Sequence, residues 1–199
     1  DLANGSTDND RGGLTGGRLE TGFDPSDKAF YHGGDLAGLT DRLDYIKGMG
    51  TTAIWLTPSF ANRPVQGEGA NASAGYHGYW ITDFTAVDPH FGDEAAMRAL
   101  VEAAHARGMK VYLDIVANHT ADVIQYRECP EGRCAYRSRA DYPYTRRGGV
   151  DGAPINEGFD GRDFSRLTRP DYAYTPYVPA GEENAKVPAW LNDPIHYHN

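Results

Sequence analysis

Apolar residues recur at helical spacing in two stretches of the chain. Between Leu36 and Met49 they lie three or four positions apart, and glycines then end the pattern, so we predict one helix there. The same spacing returns between Met97 and Met109, after Asp93, a residue type that caps helices. A second helix is therefore predicted to open at Asp93. The first thirty residues show almost no apolar period and are interpreted as loop.

Two short apolar segments have the pattern of strands buried on both faces. They are Thr51–Pro58 (TTAIWLTP) and Lys110–Val116 (KVYLDIV). A loop of about 35 residues and the second helix separate them. Strand, crossover helix and strand predict a parallel, right-handed βαβ unit, and a loop of that length is expected to carry function.

The composition and the apolar periodicity of the chain change near residue 120. Beyond it Tyr, Pro, Gly and Arg dominate without a period, which predicts an irregular lobe inserted after the second strand. Two parallel strands cannot cover their own faces and edges, and 199 residues fall short of the roughly 250 of a complete eight-stranded β/α barrel. We therefore expect this polypeptide to need partners, either more of a longer chain or another subunit.

The charge and hydropathy of the chain indicate which classes of partner it can bind. With 28 acidic against 19 basic residues, the net charge of −9 argues against a nucleic-acid partner and favours neutral ligands or cations. No apolar run approaches the roughly 18 residues of a membrane span. The start of the chain carries no signal segment, so export cannot be read from it, and a mature or trimmed chain would look the same.

The two cysteines, Cys129 and Cys134, enclose four residues. This spacing could close a small disulfide loop, although two free thiols or half of a metal site are alternatives. An oxidised pair would favour a secreted or extracellular setting.

The second strand ends in three polar residues, Asp114, Asn118 and His119, in the sequence Asp-Ile-Val-Ala-Asn-His. In parallel α/β barrels the carboxyl ends of strands face the ligand, which would place these side chains in a site. The alternative is a backbone cap, a turn residue and a surface histidine. The residues alone favour neither interpretation.

This segment resembles the first signature region of glycoside hydrolase family 13, the α-amylase family, whose pattern is Asp-Val-Val-x-Asn-His. Three further motifs resemble the family in the same order: AIWLTP at 53–58, YHGYW at 76–80 and DPHFG at 88–92. Together they span about residues 4 to 120. The resemblance implies an α/β fold in which residues 1–120 form part of a (β/α)8 TIM barrel, about strands 2 and 3 with their helices. It also implies that residues 121–199 are an incomplete inserted domain B.

The resemblance also implies a sugar site. His119 would donate a hydrogen bond to a sugar hydroxyl, and Tyr79 would stack its ring on the same sugar. His77 and Trp80 would support this wall, and Asp114 would organise the site. Considered without the family, the same aromatic residues could simply pack in a core.

A calcium site is implied in the N-terminal loop, which is rich in the Asn, Asp and Gly that suit oxygen ligation. The ligands carried over from related family members would be Asn4, Ser6, Asn9, Asp10, the carbonyl of Gly33, and Asp35. Ser6 departs from the usual Asp or Asn, and an unmetallated turn is the alternative. Asn118 would bind a second calcium ion, for which residues 121–199 offer no identifiable partners.

The carboxylates that cleave the glycosidic bond in this family come from later motifs such as Gly-Phe-Arg-x-Asp, which is absent here. The segment Gly158–Arg162 (GFDGR) resembles it only superficially and is rejected. We therefore expect the parent protein to act on α-linked glucans such as starch and maltodextrins by retaining hydrolysis, and this chain alone to be inactive. The alternatives are a non-catalytic carbohydrate-binding or partner module, and an unrelated β/α barrel.

Overall fold

The computed structural model describes residues 2–127, 129, 176–193 and 197 of the chain. The chain divides into two compact units, Asp1–Ala121 and Asp122–Asn199, and each is described by itself. Within the described residues the first unit mixes helices with several two-stranded sheets and contains no closed barrel. The α/β class is therefore confirmed, while the partial barrel stays a prediction.

The predicted helix after Asp93 is confirmed as α4, which spans Glu94–Ala106. Asp93 is its N-cap, and its side chain accepts a hydrogen bond from the backbone of Ala96. Met109 lies beyond the helix but is buried in the same apolar cluster. A further short helix, α1 (Arg18–Thr21), lies in the segment that the sequence analysis interpreted as loop.

The single helix predicted between Leu36 and Met49 is wrong in one respect. The structure has two helices of six residues each, α2 (Leu36–Asp41) and α3 (Leu43–Gly48), and Arg42 between them leaves helical geometry. Apolar periodicity continues through the break because both helices turn the same face to the core, so the pattern gave no sign of it.

The two predicted strands pair in parallel as β1 (Ala53–Leu56) and β6 (Lys110–Leu113), which confirms the parallel pairing of the βαβ unit. The expectation that they are buried on both faces is wrong. Ile54, Leu56 and Val111 pack on the core formed with α2, α3 and α4. Trp55, which is 75% exposed, points away from that core and lies beside Tyr112 in the pair.

The segment between β1 and α4, predicted as a long loop, contains short strands. It contains the antiparallel pair β2 (Phe60–Asn62) and β5 (Ile81–Val87), and the smaller pair β3 (Val65–Gln66) and β4 (Ser73–Ala74). A 3-10 helix spans Gly69–Asn71. The β2–β5 register shifts twice, between Phe60 and Ala61 and between Ala61 and Asn62, as in strands with bulges.

In the second unit, β7 (Gln125–Tyr126) pairs antiparallel with β8 (Pro176–Tyr177), and a 3-10 helix spans Ala189–Asn192. Cys129 is disulfide-bonded. Cys134, the only other cysteine in the sequence, lies outside the described residues. Throughout the described part of the chain, every helix is too short or too polar to span a bilayer.

Candidate functional site

The segment that carries Tyr79 crosses the carboxyl end of β1. Gly78 has a φ of +81°, and a side chain there would collide with the carbonyl oxygen of Pro58 just after β1. The positive φ and the close approach of the Pro58 carbonyl therefore each require glycine at position 78. Asp114 reaches the same strand end from β6, because its backbone N–H donates to the Leu56 carbonyl at 3.0 Å.

Two of the predicted sugar-site residues, Asp114 and His119, both contact Tyr79 there. The Tyr79 hydroxyl donates to Asp114 Oδ2 at 3.0 Å, and His119 Nε2 lies 3.0 Å from the Tyr79 carbonyl oxygen. Asn118 is a direct neighbour, with Oδ1 3.2 Å from His119 Nδ1. The hydrogen bond to the Asp114 carboxylate raises the pKa of Tyr79, because it favours the protonated phenol.

His77 and Trp80 form the rest of the cluster. The His77 ring stacks on Tyr79 with centroids 5.8 Å apart and meets Trp80 edge-on at 4.5 Å. His77 Nδ1 also accepts a hydrogen bond from the Tyr79 backbone at 3.1 Å. Burial lowers the pKa of His77, which favours the neutral ring. The five residues predicted to bind sugar thus lie in one cluster in which Tyr79 remains 38% exposed.

Buried polar residues behind this cluster were missed as site residues by the sequence analysis. Asn62 Oδ1 accepts from the Trp80 backbone at 2.6 Å, and the Asn62 backbone donates to Asp88 Oδ2 at 2.9 Å. Asp88 Oδ1 lies 2.8 Å from Nδ1 of the buried His90, whose Nε2 bonds to the Thr21 carbonyl. Asp88 and His90 belong to the DPHFG motif, which could have identified them in the sequence. Asn62 belongs to no motif.

The predicted calcium loop is organised around Asp35, the N-cap of α2. Its Oδ1 accepts from the backbones of Gly38 and Gly5, and its Oδ2 from the Ser6 backbone and the Asn9 side chain, at 2.6 to 3.0 Å. Burial pushes the pKa of Asp35 up, but these hydrogen bonds outweigh it and hold the pKa below its usual range. Each carboxylate oxygen already has two donors, so the role of this side chain as an ion ligand stays a prediction.

The other predicted ligands gather beside Asp35. Asn4 donates to Asp10 Oδ1 at 2.7 Å, and a side chain at Gly33, whose φ is +94°, would collide with both of them. Ser6 bonds through its backbone to Asn4 Oδ1 at 2.9 Å. Asn9 Oδ1 is buried and has no hydrogen-bond partner, which leaves an oxygen without its expected donor.

This loop is not a carboxylate-rich metal centre. No group of three or more His, Cys, Asp or Glu suited to a metal occurs among the described residues. Its oxygens come mainly from amides, hydroxyl and backbone, which are ligand types that calcium accepts. Asn118 lies apart from this loop, beside His119. The rejected segment Gly158–Arg162 lies outside the described residues.

Comparison with known proteins matches residues 3–161 to the family described as the catalytic domain of alpha amylase. An α-amylase of Streptomyces lividans is 55% identical over 189 residues, which cover 94% of this chain and 20% of that protein. Neopullulanase 2 of Thermoactinomyces vulgaris is 41% identical over 121 residues, covering 61% of this chain and 18% of that enzyme. The chain thus spans about a fifth of the length of these two relatives.

Among solved structures, a cyclomaltodextrin glucanotransferase with a three-domain ABC distribution is similar to this chain with a TM-score of 0.52 and 41% sequence identity. The match covers 60% of this chain and 24% of that enzyme.

Proposed function

Because the chain belongs to the α-amylase catalytic-domain family, we propose that it is part of a glycoside hydrolase that acts on α-linked glucans by retaining hydrolysis. In this proposal the described residues supply a calcium loop and a sugar-binding wall, which is the cluster of His77, Tyr79, Trp80, Asp114 and His119. The carboxylates that cleave the bond come from another part of the parent protein, so this chain alone has no glycosidase activity.

The observation that carries the sugar-binding role is the contact of Tyr79 with both Asp114 and His119 at the ends of parallel strands. The hydrogen bond to Asp114 fixes the phenol, so the exposed part of the ring can lie against the C–H edges of a sugar with little loss of side-chain entropy. His119 Nε2 bonds to the Tyr79 carbonyl, and a sugar hydroxyl would share or replace that acceptor. Asp114 organises the ring without contacting the glycosidic bond.

The wall would bind glucose units of a maltodextrin, because a flat aromatic ring beside a hydrogen-bond donor suits a neutral sugar. The net charge of −9 is compatible with such a neutral ligand. His77, whose pKa is lowered by burial, stacks on the Tyr79 ring and in turn meets Trp80 edge-on.

A calcium ion fits the N-terminal loop, and the unpartnered Asn9 Oδ1 supports this assignment because a buried amide oxygen needs a donor or a cation. The residues that would hold the ion are Asn4, Ser6, Asn9, Asp10, the Gly33 carbonyl and Asp35. When bound, the ion would cross-link this loop and neutralise its carboxylates. Asn118 would contribute to a second calcium site.

The remainder of the barrel is the proposed partner of the β1–β6 pair. Trp55, Tyr112, Leu113 and Ile115 are each more than half exposed on or just after these strands. Between α2 and the end of β1 lies an open cavity of about 200 Å³, lined mainly by apolar side chains that include Leu36, Leu39, Leu56 and Phe91. Further strands and helices of the parent protein would cover these surfaces. The disulfide at Cys129 is compatible with a secreted protein, which is the proposed location.

The sugar-binding role is tested by titrating maltotriose into the purified chain and into its Tyr79→Ala variant. Loss of the stacked ring is expected to raise the Kd ~10-fold. Tyr45→Ala is the matched control, because Tyr45 is 61% exposed on α3 and belongs to no proposed site. Equal affinities of all three proteins would contradict the proposal.

A starch assay tests the second half of the proposal. The chain alone is expected to give no turnover, and adding the complementary polypeptide of the parent enzyme is expected to restore it. Turnover by the chain itself would contradict the absence of cleaving carboxylates. Sugar binding that never leads to turnover with the complement would favour a non-catalytic binding module.

A further inference from the structure

A buried asparagine lies directly behind the aromatic wall. Asn62, the last residue of β2, is 7% exposed, and its Oδ1 accepts the backbone N–H of Trp80 at 2.6 Å. We infer that Asn62 is a positioning residue that sets the Tyr79–Trp80 wall, an inference that rests on the proposed sugar-binding function. The hydrogen bond of Asn62 is to the backbone of Trp80, so Asn62 acts on the rest of the wall through Trp80.

The Asn62 side chain replaces a missing backbone partner. Trp80 precedes β5, and the register of β2 against β5 shifts at each step, so the regular ladder is interrupted where the wall begins. The Trp80 carbonyl accepts from the Arg63 backbone at 2.8 Å, whereas its N–H is bonded to the Asn62 side chain. Both backbone groups of Trp80 are thereby fixed by two consecutive residues.

Two further hydrogen bonds hold Asn62 itself, and one of its partners is in turn bonded to a buried histidine. Its Nδ2 donates to the Phe60 carbonyl, its backbone N–H donates to Asp88 Oδ2, and Asp88 is bonded to the buried His90. The use of both ends of the amide explains why asparagine is needed. Aspartate could not donate to Phe60, and glutamine would displace the oxygen by one methylene group.

Fixing Trp80 fixes the rest of the wall. The Trp80 ring meets His77 edge-on, His77 stacks on Tyr79, and His77 Nδ1 accepts from the Tyr79 backbone. The Tyr79 carbonyl, which His119 contacts, belongs to the same peptide unit as the Trp80 N–H that Asn62 accepts. A change in the Trp80 backbone therefore moves both the ring and the histidine that are proposed to hold sugar.

The test compares the chain with its Asn62→Ala variant by residue-resolved amide hydrogen exchange and by maltotriose titration. Exchange at the Trp80 amide is expected to accelerate ~10-fold relative to its neighbours, because the hydrogen bond is lost. The cross-peaks between the His77 and Trp80 rings are expected to weaken, and the Kd for maltotriose to rise ~3- to 10-fold. Should Asn62→Ala fail to fold, the scalar coupling across the hydrogen bond from Trp80 N to Asn62 Cγ in the unmodified chain decides whether the contact exists.

The matched control is Thr82→Val, which removes a different side-chain hydrogen bond, to the Ala61 carbonyl, across the same strand pair. It is expected to leave exchange at Trp80 unchanged. The inference is overturned if Trp80 exchange does not respond to Asn62→Ala or responds equally to Thr82→Val. It is also overturned if measurable maltotriose affinity survives Asn62→Ala unchanged. Absence of maltotriose binding by the unmodified chain contradicts the proposed function alone, because Trp80 exchange and the ring cross-peaks still decide whether Asn62 sets the wall.

Discussion

The Tyr79 hydroxyl donates to Asp114 Oδ2 across 3.0 Å, although the two residues are 35 positions apart in the chain. This hydrogen bond joins the segment before β5 to the residue that follows β6. It brings together an aromatic ring and a carboxylate from two separate family motifs.

Replacing Asp114 with asparagine is expected to lower the pKa of Tyr79 toward its ordinary value of about 10. The reason is that the hydrogen bond to a charged carboxylate raises the Tyr79 pKa, and a neutral amide opposes phenolate formation less. The titration is followed by NMR at the Tyr79 ring carbon that bears the hydroxyl. Glu68→Gln, which removes a carboxylate from an exposed position elsewhere, is the control. An unchanged Tyr79 midpoint in Asp114→Asn would show that the contact does not form.

Calcium is expected to raise the unfolding free energy of the chain, by about 2.7 kcal/mol at a free concentration 100 times the Kd. Asn9→Ala and Asp10→Ala are each expected to reduce this gain, because each removes an oxygen from the proposed site. Urea unfolding with calcium or with a chelator measures the effect. Asp8→Ala is the control, because Asp8 lies exposed in the same loop and is not a proposed ligand. A calcium effect that is absent, or that falls equally in the Asp8 variant, would rule out this site.

Asp35→Asn is expected to lower the free energy of unfolding at neutral pH by about 1 kcal/mol. It is also expected to make that free energy depend less on pH in acid. The folded-state pKa of Asp35 lies below its unfolded value. The ionised Asp35 side chain therefore gives its full contribution to stability above about pH 4, near the pKa of aspartate in the unfolded chain. That contribution is lost as the pH falls through the lower pKa of the folded state. Urea unfolding from pH 7 downward measures the difference between the two proteins. A difference that stays constant or grows as the pH falls would contradict the assignment, and Asp41→Asn, exposed on the same helix, serves as the control.

Leu100→Ala is expected to destabilise the first unit by about 2–5 kcal/mol, because a buried leucine leaves a cavity when it is truncated. Leu100 is fully buried on α4 in the cluster that packs against β1 and β6. Leu19→Ala is the matched control, since Leu19 is 54% exposed on α1, and a change within about 0.5 kcal/mol is expected there. Urea unfolding of both variants measures the contrast. Similar losses in the two variants would mean that the α4 core does not support the fold.

The sequence predicted the elements whose signals are local. Asp93 caps α4 three residues before Ala96, its hydrogen-bond donor, and the apolar spacing of α4 follows at once. The break at Arg42 left no trace because α2 and α3 present the same face to one core. The exposure of Trp55 contradicted the prediction because an apolar strand sequence does not say which face is covered within this chain.

The candidate site likewise contains residues that motifs in the sequence identified and one residue that no motif identified. Tyr79, Asp114 and His119 were found through family motifs, and the structure brings them together. Asn62 was missed because a single asparagine carries no local signal, and its partner Trp80 lies 18 positions further along the chain. Long-range side-chain to backbone hydrogen bonds of this kind become visible only once the register of β2 against β5 is known.

Intermolecular NOEs between maltotriose and the isotopically labelled chain test whether Tyr79 and His119 form one sugar-holding surface. We expect NOEs from sugar C–H protons to the Tyr79 ring, together with a shift of the His119 ring resonances. Sugar contacts that map to other residues, with the Tyr79 and His119 signals unmoved at saturation, would contradict it.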